Sequence, residues 1–356
     1  MVKKLSQIFL LFLTMLSVSM SCKSVEVIQF SDRNFTYSPD PDAILFDQLW
    51  GYVMNGRESE FSSQIPLTDI LYFIAPITSL SEVRQPAPKE KYFGDFRGKV
   101  HIVSACDSTA QAHLLLDESL PLREKIISGL VQAAESYDGL QLDWEYIPAK
   151  DNKNFHNFLR DLKKRLGSKS LSVAVKARIR TISDDVYDYK TIGSIADKVI
   201  IMSYDEHWST SKPGPIASNE WVRKIADYAL SQIPQEKIVM GISFYGRTWY
   251  EDSIGSKAWY SGSLQRIIEE NNIDDIRRDE DGIPWFTHRH KVTVTGYYDD
   301  IPSLRKRCKM LADMGIGQLA FWRIGFEDVG FWKHLKIDES LLDEAPEHSE
   351  DIEYAE

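Results

Sequence analysis

Short apolar runs alternate with amphipathic helical patterns along most of this 356-residue chain. Several of the runs are apolar without interruption, as parallel strands covered on both faces should be. A helical pattern opens at Pro121, a residue suited to the first turn of a helix. The alternation predicts an α/β fold, an eight-stranded (β/α)8 TIM barrel over residues 43–337, with a doubly wound open sheet as the alternative. The eight predicted strands are Leu49–Met54, Ile70–Ala75, Lys99–Ser104, Leu140–Glu145, Leu171–Lys176, Lys198–Ser203, Ile238–Phe244 and Gln318–Arg323.

One long stretch interrupts this rhythm. About fifty residues separate Gly246 from Tyr297, which is far longer than an ordinary connection between a strand and a helix. The stretch is rich in aromatic residues and contains a strand-like segment at residues 292–294. We therefore predict a small α+β insertion, about residues 248–296, between the seventh and eighth barrel strands.

The N-terminus has the pattern of a targeting segment. Two lysines precede an apolar run at residues 8–18, which is followed by small residues and Cys22. The run is too short for a spanning helix and fits a signal peptide over residues 1–21. The residues before Cys22 resemble a bacterial lipoprotein box, so we predict lipidation at Cys22 and a polar tether over residues 22–42. The protein would then be exported and held at a membrane of the cell envelope, facing the periplasm or the surface; plain secretion is the alternative.

Charge and cysteine content exclude several classes of function. The chain has a formal net charge of −11, but nine of the acidic residues lie in a tail after Lys336, which leaves the rest near −2. A nearly neutral domain argues against nucleic acid as a partner. The tail, residues 338–356, is predicted to be disordered. Without a Cys/His cluster at metal-ligand spacing, we predict neither a metal nor a cofactor. Oligomeric state is not readable from the sequence.

The segment DGLQLDWE, residues 138–145, carries the clearest chemical signal. In a strand, alternate side chains point to opposite faces. One face is therefore apolar, and the other carries Gln141, Asp143 and Glu145. Two carboxyls one strand repeat apart shift each other's pKa values, so that one of them can hold a proton for acid–base chemistry. The same alternation also fits a strand with one solvated face.

Polar residues at the ends of other predicted strands favour the chemical interpretation. Barrel enzymes place their sites at the C-terminal ends of the strands. Polar groups inside a barrel need hydrogen-bond partners, because burying them without partners costs several kcal/mol. Such endings occur at Asp143-Trp144-Glu145-Tyr146, Met202-Ser203-Tyr204-Asp205, Gly241 to Arg247 and Leu319 to Arg323.

These motifs, in this order, resemble glycoside hydrolase family 18, which includes chitinases and endo-β-N-acetylglucosaminidases. The family's fourth-strand motif, D-x-x-D-x-D-x-E, is matched by Asp138, Asp143 and Glu145. Its tyrosine motif after the sixth strand matches residues 202–205, and its eighth-strand tryptophan matches Trp322. The resemblance supports the barrel prediction and implies a glycosidase.

One residue departs from the family pattern. Gln141 stands where the family has its middle aspartate, which shares a proton with the next aspartate. An amide forms hydrogen bonds but takes no charge, so Asp143 is expected to titrate lower and to stay ionised. Residues 214–218, Trp221-Val222 and residues 241–249 look like the branch of spore-cortex and cell-wall hydrolases, where an amide is frequent. Altered pH dependence, and not inactivity, is therefore expected.

The resemblance implies substrate-assisted retention, a recognised exception to the two-carboxylate scheme. Glu145 would be the acid and then the base, Asp143 would hold the acetamido N–H, and Tyr204 would donate to the acetamido oxygen. Asp138 would be a buried residue that forms structural hydrogen bonds and takes no part in the chemistry. His207 and Trp208 are expected to pack within their loop. The substrate-binding residues implied are Gln141, Asp205, Tyr245, Arg247 and Trp322.

The expected partner is a polysaccharide or oligosaccharide of N-acetylated sugars, cleaved at β-1,4 bonds. Peptidoglycan is the first candidate and chitin-type oligomers are the second. Two alternatives stay open. A carbohydrate-binding lipoprotein on a degenerate hydrolase scaffold would bind without turnover, and a surface adhesin or envelope spacer would use only the outer face.

Overall fold

A computed structural model describes residues 36–251, 255–289 and 292–342. Within these ranges no helix is both long enough and apolar enough to cross a membrane. The predicted signal peptide, Cys22 and most of the tether lie outside the described residues. The strands are β1 (Ile44–Phe46), β2 (Gln48–Met54), β3 (Asp69–Pro76), β4 (Lys99–Ala105), β5 (Gly139–Asp143), β6 (Ser170–Lys176), β7 (Lys198–Met202), β8 (Ile238–Ser243), β9 (Tyr245–Tyr250), β10 (Ser256–Tyr260), β11 (Ile276–Arg278), β12 (Pro284–Arg289), β13 (Thr293–Tyr297), β14 (Gln318–Trp322) and β15 (Leu335–Ile337).

Eight of these strands form a closed parallel barrel in the order β14-β2-β3-β4-β5-β6-β7-β8. The ring closes because β14 pairs with β2 on one side and with β8 on the other. The predicted (β/α)8 barrel is confirmed, and a closed ring excludes the open sheet. The predicted strands at β7, β8 and β14 extend one residue beyond the observed ends. The predicted strand at β5 extends two residues too far, to Glu145, because the chain leaves the barrel after Asp143 and enters a loop.

The barrel has two apolar cores, and β5 contributes to the outer one. Leu140 and Leu142 point outward and join the large core between strands and helices. The barrel interior holds a smaller apolar cluster, in which Trp50 and Tyr52 are the largest side chains. The alternating pattern of β5 thus places Gln141 and Asp143 on the interior face, as predicted.

Helices cover the outside of the barrel, and several begin at clear sequence signals. Pro121 occupies the first turn of its helix, and the helix that begins at Ile301 has a capping box formed by Asp300 and Ser303. The helices are α1 (Glu90–Phe93), α2 (Thr109–Leu116), α3 (Pro121–Ala133), α4 (Asn152–Leu166), α5 (Tyr189–Ile195), α6 (Asn219–Gln232), α7 (Ser261–Glu270) and α8 (Ile301–Asp313). Short 3-10 helices lie at Glu58–Glu60, Ala149–Asp151, Gln235–Lys237, Val329–His334 and Glu339–Leu341.

The predicted α+β insertion between barrel strands seven and eight is present. It consists of an antiparallel sheet in the order β10-β9-β13-β12-β11 and of α7. The sheet begins at Tyr245, one residue after Phe244 and only two after the barrel strand ends. The insertion therefore starts at the edge of the barrel mouth, which brings its residues to the C-terminal ends of the strands.

The two ends of the described domain meet on its outside. β1 pairs in parallel with β15, and Tyr37 donates a hydrogen bond to the Leu335 carbonyl at 2.8 Å. In the predicted acidic tail, residues 338–342 include a short 3-10 helix capped by Asp338. The rest of the tail, residues 343–356, lies outside the described residues.

Candidate active site

A cavity of about 1150 Å³ opens at the C-terminal ends of the barrel strands. It collects residues from the ends of four strands that are far apart in the sequence, together with residues of the insertion. The polar strand endings predicted to form a site thus lie together, as the barrel rule requires. Seven of the eight predicted site residues of the barrel line it: Asp143, Glu145, Tyr204, Asp205, Tyr245, Arg247 and Trp322.

Gln141 is the exception. It is fully buried in the barrel interior, one strand repeat below Asp143, and it does not line the cavity. The structure therefore places Gln141 beneath the site, outside the cavity that the other predicted residues line.

Asp143 lies at the floor of the cavity and is 9% exposed. Burial raises its pKa to about 7, and the charges of Glu145 and Asp107 add to the rise. The expectation that Asp143 stays ionised because Gln141 is neutral is therefore wrong. Desolvation disfavours the carboxylate whether or not a charged neighbour is present.

Glu145 follows β5 and is half-buried on the cavity wall. Burial raises its pKa, Lys176 opposes the rise, and Asp205 and Asp107 add to it. Together with Asp143, it forms a pair of carboxyls that both resist ionisation. Such a pair holds a proton closer to neutral pH than free carboxyls do, which suits a general acid.

Two buried tyrosines, Tyr204 and Tyr245, line the same cavity as the two carboxyls. Burial raises the pKa values of Tyr204 and Tyr245 well above the ordinary value, so both hydroxyls stay protonated and can donate hydrogen bonds. Their rings meet edge to face with centroids 6.2 Å apart. Gly241 makes room for Tyr204, because a Cβ there would lie 2.9 Å from the tyrosine ring and 2.7 Å from the Ile201 carbonyl oxygen.

Asp205 and Arg247 form an ion pair at the rim. Arg247 Nη2 donates to Asp205 Oδ1 at 3.0 Å, and Nη1 donates to Ser256 Oγ of the insertion at 3.1 Å. Asp205 has a left-handed backbone with φ of 61°, which Asp and Asn tolerate better than most residues. The arginine thus joins the loop after β7 to the insertion sheet.

Trp322 ends β14 and lies across the bottom of the cavity. Its ring packs edge-on against Tyr52, with centroids 5.0 Å apart, and against Phe73 at 5.8 Å. The bond between Trp322 and Arg323 is a cis peptide. Trp322 is half-buried and lines the cavity, and an indole there suits stacking on the apolar face of a sugar.

Part of the cavity lining was not predicted from the sequence. Trp208, expected to pack in its loop, lines the cavity and is 53% exposed. His207 packs as expected, with Nδ1 2.9 Å from the Pro215 carbonyl oxygen. The insertion's aromatic content and the position of Lys176 at a strand end were the available signals. The other lining residues are Tyr146, Lys176, Ala177, Arg178, Met202, Trp221, Ala258, Trp259, Tyr260 and Phe326.

Asp138 lies at the opposite end of β5 from the cavity. It accepts hydrogen bonds from Lys89 Nζ at 2.7 and 2.8 Å and from the Val100 backbone N–H at 2.7 Å. It is a structural anchor, as predicted, but its side chain is 31% exposed and so only partly buried. Nowhere in the described part of the chain do three His, Cys, Asp or Glu residues form a group that could hold a metal ion.

Comparison with known proteins agrees with this geometry. The "Cortical fragment-lytic enzyme" of Bacillus anthracis is 29% identical over 229 residues, which is 60% of this chain and 53% of that protein. The "Uncharacterized glycosylase YvbX" of Bacillus subtilis is 26% identical over 212 residues, 56% of this chain and 61% of that protein. The chain thus spans roughly half to three fifths of the length of these curated relatives.

Solved structures share the fold. The spore cortex-lytic enzyme SleL of Bacillus cereus superposes with a TM-score of 0.73 at 23% identity, covering 85% of this chain and 77% of that one. A chitinase from Chromobacterium violaceum gives 0.67 at 22% identity, covering 81% and 98%. The model of the family described as "Glycosyl hydrolases family 18" matches residues 120–327. The chain therefore belongs to glycosyl hydrolase family 18.

Proposed function

We propose that this protein is a glycosidase that cleaves β-1,4 bonds next to N-acetylated amino sugars by substrate-assisted, retaining catalysis. One observation carries the proposal. Asp143 and Glu145 meet at one cavity, both with raised pKa values, beside a protonated tyrosine hydroxyl and an indole floor. Family membership and the glycosylase relatives support the reaction class.

Glu145 acts first as the general acid. It gives its proton to the glycosidic oxygen, and the bond from that oxygen to the anomeric carbon breaks. The acetamido oxygen of the same sugar attacks the anomeric carbon and forms an oxazolinium ring. Glu145, now a carboxylate, takes a proton from water, and the water oxygen attacks the anomeric carbon from the side that the leaving group vacated. The ring opens and the configuration is retained.

Asp143 and Tyr204 position the acetamido arm. The Asp143 carboxyl holds the acetamido N–H and, once ionised, stabilises the positive charge of the oxazolinium. Its burial strengthens this electrostatic effect, because little water screens it. The Tyr204 hydroxyl, which keeps its proton, donates to the acetamido oxygen.

The remaining predicted residues hold the sugar. Trp322 forms the floor of the subsite and stacks on the apolar face of a ring. Asp205, Tyr245 and Arg247 contact hydroxyl and carbonyl groups. Because the Arg247–Asp205 pair is tied to the insertion, we infer that the insertion contributes one wall of the groove.

Peptidoglycan or its fragments is the first substrate proposed, and chitin-type oligomers are the second. The similarity to the cortical fragment-lytic enzyme of Bacillus anthracis supports the first. The test is to incubate purified full-length protein in detergent with peptidoglycan and with chitooligosaccharides, and to identify products by mass spectrometry. Proton NMR of fresh product should show the β-anomer first. Binding without any product would favour the carbohydrate-binding alternative, and initial α-anomer would exclude retention.

We also propose that the protein is an exported lipoprotein, anchored to an envelope membrane through Cys22 and a tether. The N-terminal sequence pattern supports this. Labelling growing cells with a clickable fatty acid should mark the wild type and leave Cys22→Ala unlabelled. An unlabelled wild type, or equal labelling of both, would contradict it.

A further inference from the structure

The cavity contains three cationic side chains, and two of them have carboxylate partners. Arg178 forms a bidentate ion pair with Asp185, with N–O distances of 2.6 and 3.1 Å. Arg247 is paired with Asp205. The third cation, Lys176, forms no salt bridge with any residue that the structure describes.

Lys176 is held in place by aromatic rings. It is the last residue of β6 and half-buried, and its ammonium lies 5.7 Å from the ring centre of Tyr146 and 5.6 Å from that of Tyr187. Cation–π contacts attract the charge but leave its N–H donors free. An ammonium so placed can still bind an anion in the cavity.

Lys176 lines the same cavity as Glu145, the proposed acid. Its charge acts on the Glu145 carboxyl, lowering that group's pKa against the effect of burial. Glu145 must reach the glycosidic oxygen between two sugars. A group that both influences Glu145 and lines the same cavity therefore lies beside the sugars that flank the scissile bond.

We propose that Lys176 is a specificity-determining residue that binds a carboxylate on an N-acetylated sugar next to the scissile bond. The matching substrate is a glycan whose amino sugar carries a free carboxylate on an ether, as the lactyl group of peptidoglycan does where no stem peptide is attached to it; neutral chitin-type oligomers lack this group. The inference rests on the proposed hydrolase function and narrows its substrate class. A charge-assisted hydrogen bond is roughly twice as strong as a neutral one, which suits discrimination between these glycans.

The test compares one acidic oligosaccharide, of alternating N-acetylglucosamine and N-acetylmuramic acid, with its methyl ester. The ester keeps the shape and removes the charge. For wild type, kcat/KM should be about tenfold higher on the acid. For Lys176→Met the ratio should fall to about one, and Lys176→Arg should retain most of the preference. Lys190→Met, a change at an exposed residue of α5, is the matched control and should keep the wild-type ratio.

Other outcomes separate the possible failures. If Lys176→Met keeps the wild-type ratio, or if wild type shows no preference, the inference is wrong while the hydrolase function stands. If Lys176 only tunes Glu145, the pH profile shifts equally on both substrates and the ratio is unchanged. If wild type cleaves neither substrate, the hydrolase proposal fails. Calorimetric binding of the acid and the ester to wild type and Lys176→Met then decides the role of the lysine.

Discussion

Arg247 of the insertion sheet and Asp205 of the loop after β7 are joined by a 3.0 Å hydrogen bond between Nη2 and Oδ1. The two residues are 42 positions apart and lie on neighbouring sides of the barrel mouth. Asp205 is the more exposed partner, with 43% of its side chain accessible, against 11% for Arg247. The pair therefore connects the insertion to the barrel at the point where a sugar would enter.

If this pair acts as a unit, removing either member should have the same effect. Arg247→Met is expected to raise KM about tenfold, and Asp205→Asn, which keeps the left-handed backbone accessible, should do the same. The double variant should be no worse than either single one. Steady-state kinetics on a chitooligosaccharide measures all three. Additive losses would show that the residues act separately.

Burial of Asp143 predicts a specific dependence of stability on pH. The unfolded chain releases this proton near the ordinary aspartate pKa of 3.8, whereas the folded protein holds it up to about pH 7. The folded state thus binds more protons between these values, and its stability falls as the pH rises through that window. Asp143→Asn removes the effect. Its free energy of unfolding should exceed that of wild type by up to about 4 kcal/mol above pH 7.

Urea unfolding at a series of pH values between 4 and 8 tests this prediction. Below pH 4 the two proteins should have similar stability, because Asp143 is protonated in both the folded and the unfolded wild type. Asp95→Asn, at an exposed carboxyl that does not line the cavity, is the control and should follow the wild-type curve. A constant difference between Asp143→Asn and wild type across the range would contradict the raised pKa.

Tyr204→Phe removes one hydroxyl and keeps the ring that packs against Tyr245. If the hydroxyl donates to the acetamido oxygen during the reaction, kcat should fall by about two orders of magnitude, as when one oxyanion donor is removed. KM should change little. Single-turnover and steady-state rates measure this. A rise in KM with unchanged kcat would instead assign the hydroxyl to ground-state binding.

Glu327 is a buried carboxyl that supports the loop carrying Phe326. It accepts a hydrogen bond from the Gly325 N–H at 2.6 Å and one from Trp332 Nε1 at 3.3 Å. Glu327→Ala leaves both donors unpaired and should lower the free energy of unfolding by about 2–5 kcal/mol. Glu327→Gln keeps an acceptor and the side-chain volume, so it should lose less. Urea unfolding compares them; equal losses would contradict this role.

Most of the fold could be predicted from the sequence because barrel strands are covered on both faces. Their apolar runs stand out, and the structure confirms all eight within one or two residues. The start of the insertion was harder to predict from the sequence. Its sheet starts at Tyr245, since β9 continues almost directly from β8, and no local signal marks this change.

The site was readable where a strand brings polar residues to its end, as at Asp143 and Tyr204. It was not readable where the effect depends on the surroundings. The raised pKa of Asp143 comes mainly from its burial. Gln141 lies on the same face of β5 as Asp143, but it is fully buried in the barrel interior and does not reach the cavity. Lys176 ends a predicted strand, yet only the structure shows that Arg178 and Arg247 form salt bridges while Lys176 forms none with the residues described.

The central claim is that Glu145 supplies the proton for bond cleavage. Glu145→Gln keeps the shape and the hydrogen-bonding capacity of the side chain but cannot give up a proton in the same way. Turnover and calorimetric binding should be measured side by side, on peptidoglycan fragments and chitooligosaccharides. We predict that turnover falls by about three or more orders of magnitude while the dissociation constant changes by less than about tenfold. Wild-type turnover by Glu145→Gln on a substrate that the wild type cleaves would contradict it.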